Sequence, residues 1–133
     1  MNRRLAWVGA SRKDYAEFPE NVQDDIGYRL FRVQTGSSLY PPARPLSKGV
    51  LKGLGIYELA ADHDGDTFRA VYTLQLDGIV YVLHAFKKKS KTGIATPQHD
   101  VDLIRSRYLD ALQAHAQLLA AYGAAARNHR GDR

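Results

Sequence analysis

Cysteine is absent from this 133-residue chain, which excludes disulfides and thiol nucleophiles and removes the commonest structural zinc ligand. That absence fits a reducing compartment, and a cytoplasmic location is expected. Long hydrophobic runs are also missing: nothing approaches the roughly 20 apolar residues that cross a bilayer. The first residues, MNRRLAWVGAS, are basic but lack the longer apolar segment of a signal peptide, so no membrane role is expected. Acidic residues are outnumbered, with 14 Asp and Glu against 19 Lys and Arg, giving a net charge of +5 and a pI near 9.6. Such a balance points to an anionic partner, nucleic acid first, or else to a mildly basic surface without a specific ligand. The 44% hydrophobic content is ordinary and sufficient, at this length, for one core without covalent staples.

What is present is organised around Thr67–Lys91, TFRAVYTLQLDGIVYVLHAFKKKSK. Asp77-Gly78 between two apolar runs predicts a hairpin closed by a two-residue type I′ turn. In that register Leu76 faces Ile79, and Thr73, Val71 and Arg69 face Val82, His84 and Phe86. Alternation then puts Arg69, Val71, Thr73 and Gln75 on one face with Val80, Val82, His84, Phe86 and Lys88. Phe68, Ala70, Tyr72, Leu74, Leu76, Tyr81, Leu83 and Ala85 form the other, a core wall. The first face, with an arginine diagonal to a histidine and a lysine beyond, is where chemistry is expected.

Around this hairpin, Leu5–Val8 reads as a short strand and Ser11 as the cap of a brief helix. Pro19 opens a longer one with Val22, Ile26, Leu30 and Val33 at helical spacing, stopped by Gly36. Residues 36–55, rich in Pro and Gly, read as loop carrying Arg44, Lys48 and Lys52. Ile56–Leu59 is a strand, and Asp62–Asp66 a turn. Thr96 caps and Pro97 opens a last helix with Val101, Ile104, Tyr108, Leu112 and Leu119 as its buried stripe. Residues 1–122 are expected to form one domain and 123–133 a frayed tail. The fold class is α+β: a small antiparallel sheet with an N-terminal αα-hairpin and a C-terminal helix packed on one face.

The blocks Tyr15–Pro19, PLSKGVLKGLGIY (Pro45–Tyr57), DHDGDTFRAVY (Asp62–Tyr72) and YVLHAFKKKSKTGIATP (Tyr81–Pro97) resemble the phage-derived Gp49-like group of HigB toxins. That group lies within the RelE superfamily of toxin–antitoxin systems, and the similarity spans roughly residues 1–112. The resemblance implies a ribosome-dependent endoribonuclease that cuts translated mRNA and is neutralised by an antitoxin, often a helix-turn-helix protein. It also implies a concave sheet face bearing an arginine at Arg69 and basic residues at the end of the last strand, Lys87–Lys89.

RNA cleavage without a metal or cofactor needs charge stabilisation on phosphate and groups that move protons. Arg69 suits the first task through its two-pronged guanidinium, the alternative being a sheet arginine paired with a carboxylate such as Glu58. Lys88 falls on the same face as Arg69. Lys87, Lys89, Lys91, Lys48 and Lys52 are candidate RNA contacts, or else solvated charge. His84 titrates near neutrality and is the candidate proton carrier, unless it is a satisfied, half-buried side chain. The competing function is a non-catalytic RNA- or protein-binding module on the same fold. A basic face meeting an acidic protein is a third reading. Asp62, Asp64 and Asp66 lack the spacing of a calcium loop, and no metal is expected.

Overall fold

The computed structural model describes residues 2–38, 42–89 and 95–131. Five strands form one sheet: β1 (Arg4–Trp7), β2 (Arg44–Pro45), β3 (Ile56–His63), β4 (Asp66–Thr73) and β5 (Ile79–Lys89), in the order β1-β5-β4-β3-β2. Three helices accompany it: α1 (Ser11–Ala16), α2 (Glu20–Thr35) and α3 (Gln98–Gly131). The expected α+β class holds, with two differences. The sheet is mixed, because β1 joins β5 in parallel after the chain returns through the helices and the β2–β4 meander. Helices also cover both faces. α2 buries Val22, Ile26, Leu30 and Val33 against Leu59, Phe68, Ala70, Tyr72, Val80, Val82 and Ala85. On the opposite face Ile104, Tyr108 and Ala111 of α3 pack on Ile56, Val71, Tyr81 and Leu83.

The two Asp-Gly pairs behave differently from expectation. Asp64-Gly65 is the tight two-residue turn, with His63 paired to Asp66 and φ of 49° and 83° at the central residues, the signs a type I′ turn needs. Asp77-Gly78 closes a longer connection. β4 ends at Thr73, Leu76 C=O accepts the Ile79 N–H, and only Gly78 has positive φ.

The β4–β5 register confirms Val71 opposite His84 and Arg69 opposite Phe86, but it slips between Val71 and Tyr72, where Leu83 is the extra residue of a β-bulge. Thr73 therefore faces Tyr81, not Val82. A single inserted residue reverses the parity of everything beyond it. Val80 and Val82, expected beside Arg69, lie in the α2 core, and Tyr81 and Leu83 lie on the α3 side. The bulge is held from the end of β1 and the start of α1. Val82 C=O accepts both the Val8 N–H and the hydroxyl of fully buried Ser11, which is thus a strand anchor and not the helix cap expected.

Arg29 of α2 is buried, paired with Asp25 and donating to Ala60 C=O of β3. α3 continues through Gly123 to Gly131 where a frayed tail was expected, and Leu119 is exposed on it. Among the described residues no helix is long and apolar enough to cross a membrane.

Candidate nucleic-acid interface

Strand alternation places Arg44, Glu58, Arg69, His84, Phe86 and Lys88 on the α3 side of the sheet, with Arg44 opposite Glu58 across β2–β3 and Thr67 opposite Lys88 across β4–β5. Glu58 is the centre. Its carboxylate, 2% exposed, accepts from Arg44 Nη2 at 3.0 Å and lies 3.3 Å from Arg69 Nη1. Arg69 is only 7% exposed, whereas Arg44 is 38% exposed. The pairing of Arg69 with Glu58 is the alternative raised from the sequence, and it is realised. Lys88 is buried beside them, and its Nζ donates to the Ala95 carbonyl just ahead of α3. Desolvation, then the Arg69 charge, holds the Lys88 pKa below the ordinary lysine value, with Glu58 pulling the other way and Arg44 adding to the depression. Three cations thus surround one carboxylate, so the cluster is electropositive although largely enclosed.

His84 sits farther along the same face, buried and stacked on Phe86 with ring centroids 4.8 Å apart. Its Nδ1 lies 3.1 Å from Arg107 Nη1. A guanidinium can only donate, which assigns the ring proton to Nε2, and Nε2 donates to Asp100 Oδ1 at 2.7 Å. Both partners belong to α3, so the imidazole is a tie between sheet and helix. Arg107 also donates to the carbonyl of the bulge residue Leu83. Gly9 (φ 57°) leaves it room, since a Cβ there would come 2.8 Å from Arg107 Nε.

Burial is the main cause that lowers the His84 pKa from its ordinary 6.5, with Arg107 adding to it and Asp100 and Asp14 opposing. The sign follows directly. Just below pH 6.5 the unfolded chain binds a proton that the folded protein refuses, so stability falls as pH drops toward the lower folded value. The slope for one such group cannot exceed about 1.4 kcal/mol per pH unit. Urea unfolding at about pH 7.5 and about pH 5.5 checks this: His84→Gln should lose less stability than the parent between the two. Equal losses would show that another group titrates.

The remaining expected residues do not all converge. Lys87 faces the other way, exposed and 3.5 Å from Asp66. It borders a cleft of about 650 Å³ shared with Asp14, Glu17, His63, Asp64, Asp66 and Phe68. Four carboxylates make that cleft a poor seat for phosphate. Lys48 lines a smaller cavity of about 250 Å³ with Arg44 and Thr96, while Lys52 is exposed beyond the 3₁₀ turn Gly49–Leu51. Lys91 and the side chain of Lys89 lie outside the described residues. Among the described residues no cluster of His, Asp or Glu could hold a metal ion. Sequence reasoning missed Arg44, Asp100 and Arg107 as members of this face. Arg44 and Asp100 carried only weak signals, a charge in a loop and an acid in a helix's first turn.

Three solved structures are similar to this chain. A double arginine-to-alanine mutant of the E. coli toxin RelE in the free state superposes with a TM-score of 0.50 at 14% identity, over 84% of this chain and 98% of that one. The isolated E. coli RelE toxin gives 0.49 at 14% identity over 77% and 97%. The toxin–antitoxin complex RelBE of Mycobacterium tuberculosis gives 0.45 at 15% identity over 68% and 95%. At these identities the first likeness speaks for the fold alone. No curated protein matches the sequence. The model of the family described as phage-derived protein Gp49-like matches residues 13–109, which takes in β3, β4, β5 and the first third of α3 together with Glu58, Arg69, His84, Lys88, Asp100 and Arg107. With that span matched, the chain belongs to the phage-derived Gp49-like family and carries a RelE-like α+β fold.

Proposed function

We propose that the protein is the toxin of a toxin–antitoxin pair and that it cleaves mRNA on the ribosome as a metal-independent endoribonuclease of the HigB kind. The observation that carries this reading is the gathering of Arg44, Arg69 and Lys88 around Glu58 on one face of a RelE-like sheet. An electropositive cluster of low solvent content is suited to stabilising the charge that builds on phosphorus when a ribose 2′-hydroxyl attacks. Within this reading Arg69 and Lys88 supply that charge. Lys88, whose pKa is displaced toward neutrality, is also the amine best suited to pass a proton. His84 acts by positioning: with both ring nitrogens engaged, it fixes the start of α3 across the face. The partner expected is an antitoxin, of the helix-turn-helix kind, and the site of action is the cytoplasm.

Inducing the protein should arrest growth and generate new 5′ ends within translated messages, mapped by primer extension. Arg69→Ala, at equal abundance, should leave neither effect. Arrest and cleavage by that variant equal to the parent would remove Arg69 from the mechanism. A second reading, binding without cleavage, is favoured by the engagement of both His84 nitrogens and by the Glu58–Arg69 pair. It predicts arrest with no new ends.

A further inference from the structure

Arg69 lies too deep to meet a ligand first, so the question is which group on this face does. Arg44 shares Glu58 with Arg69 but keeps 38% of its side chain exposed. It opens onto the cavity of about 250 Å³ between β2, the 3₁₀ turn and the approach to α3. Ser47, Lys48, Thr96 and Val101 line the same space, with Leu46 and Leu51 as its apolar floor. The Thr96 hydroxyl is buried and has no hydrogen-bond partner among the described residues, so it does not cap α3 as the sequence suggested. A buried hydroxyl of this kind is destabilising unless something bonds to it. The beginning of α3 adds the positive end of a long helix dipole to the wall. Behind it stand Arg69 and Lys88, sharing Glu58 with Arg44. The polar side chains that line this cavity are two cations, Arg44 and Lys48, and two hydroxyls, Ser47 and Thr96, with no carboxylate among them.

We propose that the cavity lined by Arg44, Ser47, Lys48 and Thr96 is a phosphate subsite that takes one backbone phosphate of single-stranded RNA. The assignment rests on the reading of this face as an RNA surface and makes Arg44, in a strand of two residues, its outermost guanidinium. Arg44 and Lys48 supply the charge, the Ser47 and Thr96 hydroxyls the neutral hydrogen bonds. The enclosed Arg69–Lys88 pair lies one step deeper along the same face, so a strand anchored here leads its neighbouring nucleotide toward that pair.

The test is a titration of the full-length, isotopically labelled protein, followed by amide NMR, with three probes: inorganic phosphate, a single-stranded RNA trinucleotide and unphosphorylated adenosine. Amides of Ser47, Lys48, Thr96 and Val101 should shift with phosphate, shift at lower concentration with the trinucleotide, and stay still with adenosine. Arg44→Gln should weaken trinucleotide binding about tenfold, the size of one charge-assisted contact. It should also reduce the slope of log affinity against log salt by about 0.7. Arg44→Gln is expected to fold, because Glu58 keeps Arg69. Lys48→Glu, on an exposed side chain, gives the same readout if it does not. Arg12→Ala, which removes an exposed side chain of α1, should leave binding unchanged. Shifts confined to other residues, or equal affinity in Arg44→Gln and Lys48→Glu, would overturn the subsite. Binding with phosphate and not with RNA would reduce it to an adventitious anion site and overturn it equally. The mRNA-end mapping is independent of these results. Cleavage without binding at these amides removes the subsite and keeps the nuclease, and binding without cleavage does the reverse.

Discussion

Glu58→Gln should be the most damaging single substitution on this face, lowering the unfolding free energy by about 3–5 kcal/mol. The carboxylate is 2% exposed and is shared by Arg44 and Arg69, with Lys88 beside them. Removing its charge keeps the shape but leaves the cations to repel one another in a poorly solvated place. That is the asymmetric case in which breaking a buried pair costs far more than the pair contributes. Urea or thermal unfolding measures the loss directly. The companion Arg44→Gln should cost much less, since Glu58 retains Arg69 and Arg44 is more solvated. If Glu58→Gln were as stable as the parent, the carboxylate would not be the hub on which the cationic face is built.

Lys88→Met should reduce mRNA cleavage in a translating extract by about a hundredfold or more, the range found when one charge-stabilising group is taken from a transition state. Methionine keeps the length and apolar stem of lysine, so the packing against β4 and the residues before α3 is largely retained, and a thermal melt verifies this. Lys88→Arg separates charge from proton transfer. It restores the positive charge but cannot lose a proton in the working range. Because the Lys88 pKa is lowered, the parent's rate should fall off on the alkaline side before the ordinary lysine value of 10.5 is reached. In Lys88→Arg that limb should vanish, whatever activity is left. Full activity in Lys88→Met would mean that the buried amine serves only to hold the residues ahead of α3 through the Ala95 carbonyl.

Both results depend on positions that the sequence located only in part. The period-2 pattern of the central hairpin was enough to put Arg69, His84, Phe86 and Lys88 on one face, because the bulge comes beyond them. The same pattern failed from Leu83 back to the Asp77-Gly78 connection. Nothing in the run YVLHAF marks an extra residue, and the bulge lies where Val8 and Ser11, far away in sequence, both bond to the Val82 carbonyl.

The chain's local signals sufficed for whatever obeys local rules. They marked the helix stop at Gly36, the apolar stripe of α2, the basic end of β5, and the blocks that resemble the Gp49-like family. Partnerships across the fold needed coordinates. Glu58 meets Arg44 across 14 residues, and Arg107 reaches His84 across 23. The physical reason is that a charge's neighbours are fixed by which surfaces the hydrophobic cores bring together. Side-chain periodicity tells where a residue points, and only the assembled sheet with α3 packed on it decides what it meets there.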